Sequence, residues 1–152
     1  MKKFIQLKIT VTILLLFFTF ISRGQISHSR EEVIIQYGFD FYEGIYEGYP
    51  YLLYTNPVST KTSGFFIQQK VMFFRETNDG NSYCYKFQLL EPGSELKINI
   101  DIFNRDIEQV GFQHWVDPAD GINYRIEQPE GFCLITAWLE NGKPEIHETS
   151  FF

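Results

Sequence analysis

Two cysteines, three histidines and a run of tyrosines set among carboxylates are the side chains through which this chain would have to do chemistry. Cys84 and Cys133 are an even pair, which in an oxidising compartment points to one disulfide. Such a bridge joins positions 49 residues apart and would add roughly 3–4 kcal/mol by restricting the unfolded chain. It requires Cα atoms within ~7 Å, and two buried free thiols are the alternative. A thiol nucleophile needs a histidine within hydrogen-bond reach, and His28, His114 and His147 form no local signature with either cysteine. His114 and Asp117 are three apart, so on a strand they face opposite sides. The histidines also lack zinc-ligand spacing. Asp117, Asp120 and Asn123 around Gly121, and Asn78, Asp79 and Asn81 around Gly80, offer oxygen donors. Neither run has the alternating acids and distal bidentate glutamate of a calcium loop, and both have what tight turns demand. No metal and no cofactor is expected.

The stretch from Phe39 to Tyr54 is the stronger candidate. With Tyr37 just before it, Tyr42, Tyr46, Tyr49, Tyr51 and Tyr54 stand among Asp40, Glu43 and Glu47, with the echo Tyr42-Glu43-Gly44 and Tyr46-Glu47-Gly48. Exposed tyrosine beside carboxylate suits a protein interface, where the ring adds contact area at low entropic cost, and it suits a sugar face too. Tyr42, Tyr46, Tyr49, Glu43 and Glu47 are therefore the expected binding residues. The competing placement packs most of these rings under a sheet. Glu43 and Glu47 as a glycosidase pair would need a fixed separation that sequence spacing does not supply.

The elements that position these residues can be read in turn. Ser29-Arg30-Glu31-Glu32 is a capping box, Val33, Ile34 and Tyr37 make a short apolar stripe, and Gly38 is a stop. A loop is expected from Phe39 to Tyr49, a strand from Tyr49 to Thr55 closed by Asn56-Pro57, and a second strand from Phe65 to Arg75. Tyr83, Tyr85, Phe87 and Leu89 share a face in a third, completing a half-buried antiparallel hairpin. Leu96 to Val110 fits strand alternation and helical spacing alike; Pro92-Gly93 and a Ser94 cap favour a helix ending at Gly111. Phe112–Val116, Ile122–Gln128 and Phe132–Glu140 read as strands, with a loose tail beyond Asn141-Gly142.

The halves echo one another. Tyr83-Cys84 through Leu90-Glu91 parallels Phe132-Cys133 through Leu139-Glu140, and Phe73-Phe74-Arg75-Glu76 parallels Tyr124-Arg125-Ile126-Glu127. A serine-capped helix precedes each, at Ser29 and Ser94. The expected fold is α+β: two short helices on an antiparallel sheet, as two tandem α-βββ-like repeats over roughly 29–91 and 94–140. Helix, glycine stop, loop and three-strand meander in tandem resembles the beta-lactamase-inhibitor-protein-like domains. The Ser-x-x-Glu-Val opening with its following glycine is similar to that of the SmpA/OmlA outer-membrane lipoproteins. The resemblance implies a protein-binding scaffold rather than an enzyme and carries over no functional residue. The lipoprotein cysteine is missing, and with it the membrane tether that family would imply.

Lys2, Lys3 and Lys8, the uncharged run Ile9–Ile21 and the small residues of Ser22-Arg23-Gly24 read as a signal peptide over 1–24, cut near Gly24. Only 14 uncharged residues, Ile9 to Ser22, stand in a row, short of the roughly 20 that span a bilayer. A single domain over 25–152, secreted or periplasmic and without a stable membrane anchor, is expected. Loss of the leader's four basic residues leaves 9 of the 13 Lys and Arg against 19 acids, a formal charge of −10. That field repels phosphate backbones, so nucleic acid is not an expected partner. The function expected is non-catalytic binding of a protein partner outside the cytoplasm. The alternative is a glycan-binding or small hydrolytic protein using Tyr and carboxylates of the 39–54 loop.

Overall fold

Ser29 starts the first helix. Its hydroxyl accepts the Glu32 N–H at 3.1 Å, and the Glu32 carboxylate accepts the Ser29 N–H at 2.8 Å. Two of the donors that every helix start leaves unpaired are thereby satisfied. Helix α1 (Arg30–Tyr37) stops at Gly38, whose φ of 91° suits glycine and whose N–H donates to the Ile34 carbonyl. The computed structural model describes residues 26–139 apart from 79. The expected leader, Asp79, Glu140, His147 and the expected loose tail lie outside the described residues.

Eight strands follow in two groups of four: β1 (Tyr42–Tyr46), β2 (Tyr49–Thr60), β3 (Gly64–Glu76) and β4 (Ser82–Pro92), then helix α2 (Leu96–Asp106), then β5 (Glu108–Gly111), β6 (His114–Val116), β7 (Ile122–Glu127) and β8 (Phe132–Leu139). They form one antiparallel sheet in the order β1-β2-β3-β4-β8-β7-β6-β5. The architecture is α+β with the sheet dominant. Each helix is followed by four strands rather than the three expected.

Four local expectations are corrected. The supposed loop 39–49 contains strand β1, joined to β2 by the two-residue turn Glu47-Gly48 with φ of 51° and 84°. Two positive φ values are the turn whose twist matches a hairpin, and Gly48 supplies one without strain. Strand β2 does not end at Asn56-Pro57 but runs to Thr60. Because Tyr46 and Tyr49 flank the turn and pair, the odd-numbered residues of β2 turn their N–H toward β1. β1 stops opposite Leu53, so the nitrogen of Pro57 faces an open edge where no hydrogen bond is lost. The ambiguous stretch 96–110 divides: it is helical to Asp106, with Leu96, Ile100 and Phe103 packed on the core, and extended from Glu108. Ser94 does not cap α2. It lies in a 3₁₀ turn (Gly93–Glu95) with its hydroxyl 2.5 Å from that of Ser63.

Alternation sorts the sheet into two faces. Leu52, Tyr54, Met72, Phe74 and Ile126 lie under the helices in the main core with Val33 and Trp115. Val71, Phe73 and Tyr85 form a second buried cluster on the outer face with Tyr46, Tyr49 and Tyr51 packed around it. A bulge in β4 pairs Phe73 with Lys86 but Phe74 with Cys84, so Tyr85 and Lys86 point to the same outer side.

The first residues described are part of the sheet. Ile26 is buried, Ser27 N–H donates to the Cys84 carbonyl and Cys84 N–H to the His28 carbonyl, both at 2.8 Å. They occupy the flank of β4 beyond the point where its pairing with β8 stops at Lys86–Trp138.

Candidate functional site

The expected binding residues fall on the β1–β2 hairpin, the outermost ribbon of the sheet. Tyr42, Gly44 and Tyr46 face outward with Leu53, Tyr51 and Tyr49 opposite them. The Tyr51 ring lies across Gly44, where an added Cβ would come within 2.7 Å of the ring hydroxyl, so any larger residue there would have to displace the ring. Tyr46 and Tyr51 each pack on Phe73 at 6.2 Å between centroids, and Tyr49 on Tyr85 at 5.2 Å. Two cations lie over these rings: the Arg75 guanidinium 4.6 Å from the Tyr85 centroid and 5.5 Å from that of Tyr49, and the Lys86 ammonium 4.1 Å above Phe73. Burial pushes the Tyr85 phenol up to about 12 and the Lys86 ammonium down, with Glu47 opposing the latter. Tyr46, Tyr49 and Tyr51 are thus half-buried, Tyr54 is buried with its hydroxyl donating to the Gly38 carbonyl at 3.1 Å, and Tyr42 is 70 % exposed.

Glu43 and Glu47 are not brought together. Glu43 points to the helix side and ion-pairs with Arg30 at the start of α1, whereas Glu47 sits in the turn with its field on Lys86 and Tyr85. Arg30, Glu43, Gly44, Ile45, Pro50 and Tyr51 line an open cavity of about 310 Å³ beside the strand, and Ile45 stands 75 % exposed at its rim. This arrangement offers an apolar residue, an ion pair and, among the described residues, an unpaired strand edge side by side. It offers no pair of carboxylates across a cleft.

The other candidate residues are occupied in building structure. His114 bonds Asn123 at 2.9 Å and stacks on Trp138, away from Asp117. Asp117 accepts the Ala119 N–H and Asp120 the Ile122 N–H, the bonds of a turn. The expected disulfide is not formed: both cysteines are free and buried. The reason is the register. β8 runs antiparallel to β4 with Cys133 opposite Glu91, seven residues along from Cys84, which separates the thiols by roughly 20 Å. Burial pushes the Cys84 thiol up to about 12 and that of Cys133 to about 11.

A polar cluster under the helices escaped the sequence reading. Lys70 is only 7 % exposed, with its ammonium 4.7 Å over the Tyr37 ring and donating to the Tyr37 hydroxyl at 3.5 Å. Burial drives it down to about 8, with Glu91 pulling the other way. The Glu91 oxygens accept from Gln68 at 2.6 Å and Asn99 at 2.8 Å. Glu95, also buried, accepts from Thr60 and Ser63. The signal was a lysine at an inward position of an apolar strand. No protein-family model, curated protein or solved structure matches the chain.

Proposed function

We propose that the chain is an exported, non-catalytic protein-binding module that engages its partner through the β1–β2 hairpin. The observation that carries this reading is the hairpin's outer strand, which presents Tyr42 and Ile45 at 70 % and 75 % exposure beside a shallow cavity. An exposed aromatic next to an aliphatic on a strand edge is what strand-addition partners use: the main chain gives affinity and alternate side chains give specificity. Tyr46, Tyr49 and Glu47 act as support, since their rings and charge hold the hairpin against Phe73, Tyr85 and Lys86. Export rests on the leader of residues 1–24, and burial of Ile26, two residues past the expected cut, fits a fold that begins there.

We further read the chain as two tandem units of one helix and four strands, meeting at β4 and β8 about an approximate twofold axis. The correspondence is between elements rather than residues. Cys84 and Cys133 both face the helices, but the bulge at Tyr85–Lys86 puts Leu90 on the outer face opposite Leu134 while Leu139 packs on the core.

The test is a photo-reactive residue placed at Tyr42, compared with one at Val110 on the opposite edge. A defined protein adduct from the extracytoplasmic fraction at Tyr42 alone, reproduced with the purified partner, is the expected result. Binding on a glycan array that Tyr46→Ala abolishes, with no protein adduct, would replace this reading with the carbohydrate one.

A further inference from the structure

We propose that β1 also pairs with β1 of a second copy of this chain, antiparallel and centred on Gly44, joining two eight-stranded sheets into one. This rests on the reading of the hairpin as a docking surface and names one occupant for it. The hydrogen-bonding phase permits the pairing. Tyr42, Gly44 and Tyr46 share the phase of the turn-flanking pair and turn their N–H and C=O toward β2, so those of Glu43 and Ile45 point away from the sheet. In a strand pair centred on Gly44, Glu43 of each copy lies opposite Ile45 of the other, and these are the residues with outward groups to exchange.

The side chains are self-complementary in the same register. On the outer face Tyr42 meets Tyr46 of the second copy twice, with the two glycines between them, each overlain by the ring of its own Tyr51. On the helix face each Glu43 faces an isoleucine rather than a like charge. Its carboxylate is already neutralised by Arg30, so the seam carries no net charge although the chain as a whole is acidic. The opposite edge lacks these features: β5 is four residues long and broken by a bulge between Gln109 and Gly111. A five-residue strand pair is a small interface, so the dimer is weak and reversible.

Sedimentation velocity of the purified protein from roughly 5 to 500 µM reads this out. The expected result is a concentration-dependent monomer–dimer equilibrium. Ile45→Glu should weaken it at least about tenfold, because each new carboxylate then lies opposite Glu43 of the other copy. Ile45→Pro should abolish it by removing an outward N–H that the fold does not use, and Val110→Lys should leave it unchanged. A monomer at every concentration overturns the proposal, as does a dimer that survives both Ile45 substitutions. A monomer that still forms the Tyr42 adduct with another protein overturns self-pairing alone, whereas loss of both removes the docking surface itself.

Discussion

The two helices lie on one face of one sheet and are fastened to it by different forces. α1 has 8 residues; it buries Val33 and Ile34 in the core, and its ends are tied down as well, by the capping box at Ser29, the Arg30–Glu43 ion pair, the Gly38 stop bonded by Tyr54, and Tyr37 over the Lys70 ammonium. α2 has 11 residues and no side-chain cap, and it is held by aromatic packing in its C-terminal half. There Phe103 stacks on Trp115 at 5.4 Å and packs on Tyr124 at 5.2 Å, while the Trp115 indole N–H donates to Asn104 at 2.9 Å. A helix of two turns has little apolar face to bury and is marginal alone, so its termini must be satisfied; one of three turns can rely on aromatic area. The strands show the converse. Each strand after α1 is longer than its counterpart after α2, and only the first group ends in an edge without a bulge.

If that division is right, Trp115→Ala should do the most damage, about 3–5 kcal/mol in urea unfolding, because a fully buried ring is lost from the anchor of α2. A loss under about 1 kcal/mol would mean that α2 is not held by its aromatic contacts. Lys70→Met tests the polar anchor of α1 and should raise stability at pH 7 by about 1–3 kcal/mol, since a buried ammonium is exchanged for an apolar chain of similar shape. The folded pKa of Lys70 lies near 8 against 10.5 unfolded, so between those values the unfolded chain binds more protons at this site and the Lys70 contribution to stability rises with pH. The penalty is complete below pH 8, and the gap between the two proteins must close toward pH 10. Above pH 9 both proteins lose stability together, because Cys84 and Cys133 keep protons that the unfolded thiols release. A gap independent of pH would refute the role given to Lys70.

Smaller effects follow. Gly48→Val forces a β-branched residue to φ near 84° and should cost about 1–2 kcal/mol. Hydrogen exchange should accelerate at Gly44 and Tyr46 and not in β5. Ser29→Ala should cost about 1 kcal/mol by removing the cap, with no counterpart at Ser94, whose hydroxyl caps nothing. The smallest effect is none at all: dithiothreitol should leave the melting temperature unchanged, and the unreduced, denatured protein should label two thiols. Fewer than two would restore the bridge between the halves.

The sequence carried the capping box at Ser29, the Gly38 stop and the strands β3 and β4, because these depend on neighbours a few residues apart; the single face expected for Tyr83, Tyr85, Phe87 and Leu89 is split by the bulge, which leaves the two tyrosines outside and Phe87 and Leu89 in the core. It misread β1 as a loop. Five residues containing a glycine and a glutamate have weak strand preference, and what makes them a strand is the long β2 beside them. The tyrosines were read as one stretch of loop and strand, and their burial was not legible, since it depends on Phe73 in the neighbouring β3 and on Tyr85, which a bulge turns to the outer face. The disulfide failed for a related reason. Matching positions in two antiparallel strands sit at opposite ends of the pair, so the echo that put Cys84 and Cys133 in equivalent places also kept them apart.

The centre of the sheet is stitched from the distant ends of the described chain, and this shapes how the molecule is made. β4 keeps its Lys86–Pro92 flank for β8, which leaves the ribosome 47 residues after Pro92. At a synthesis rate of roughly 5–20 residues per second, the first half waits several seconds with that hydrophobic margin bare. Nascent-chain companions would find their grip there, and a transcript truncated before Phe132 would yield a product prone to clump.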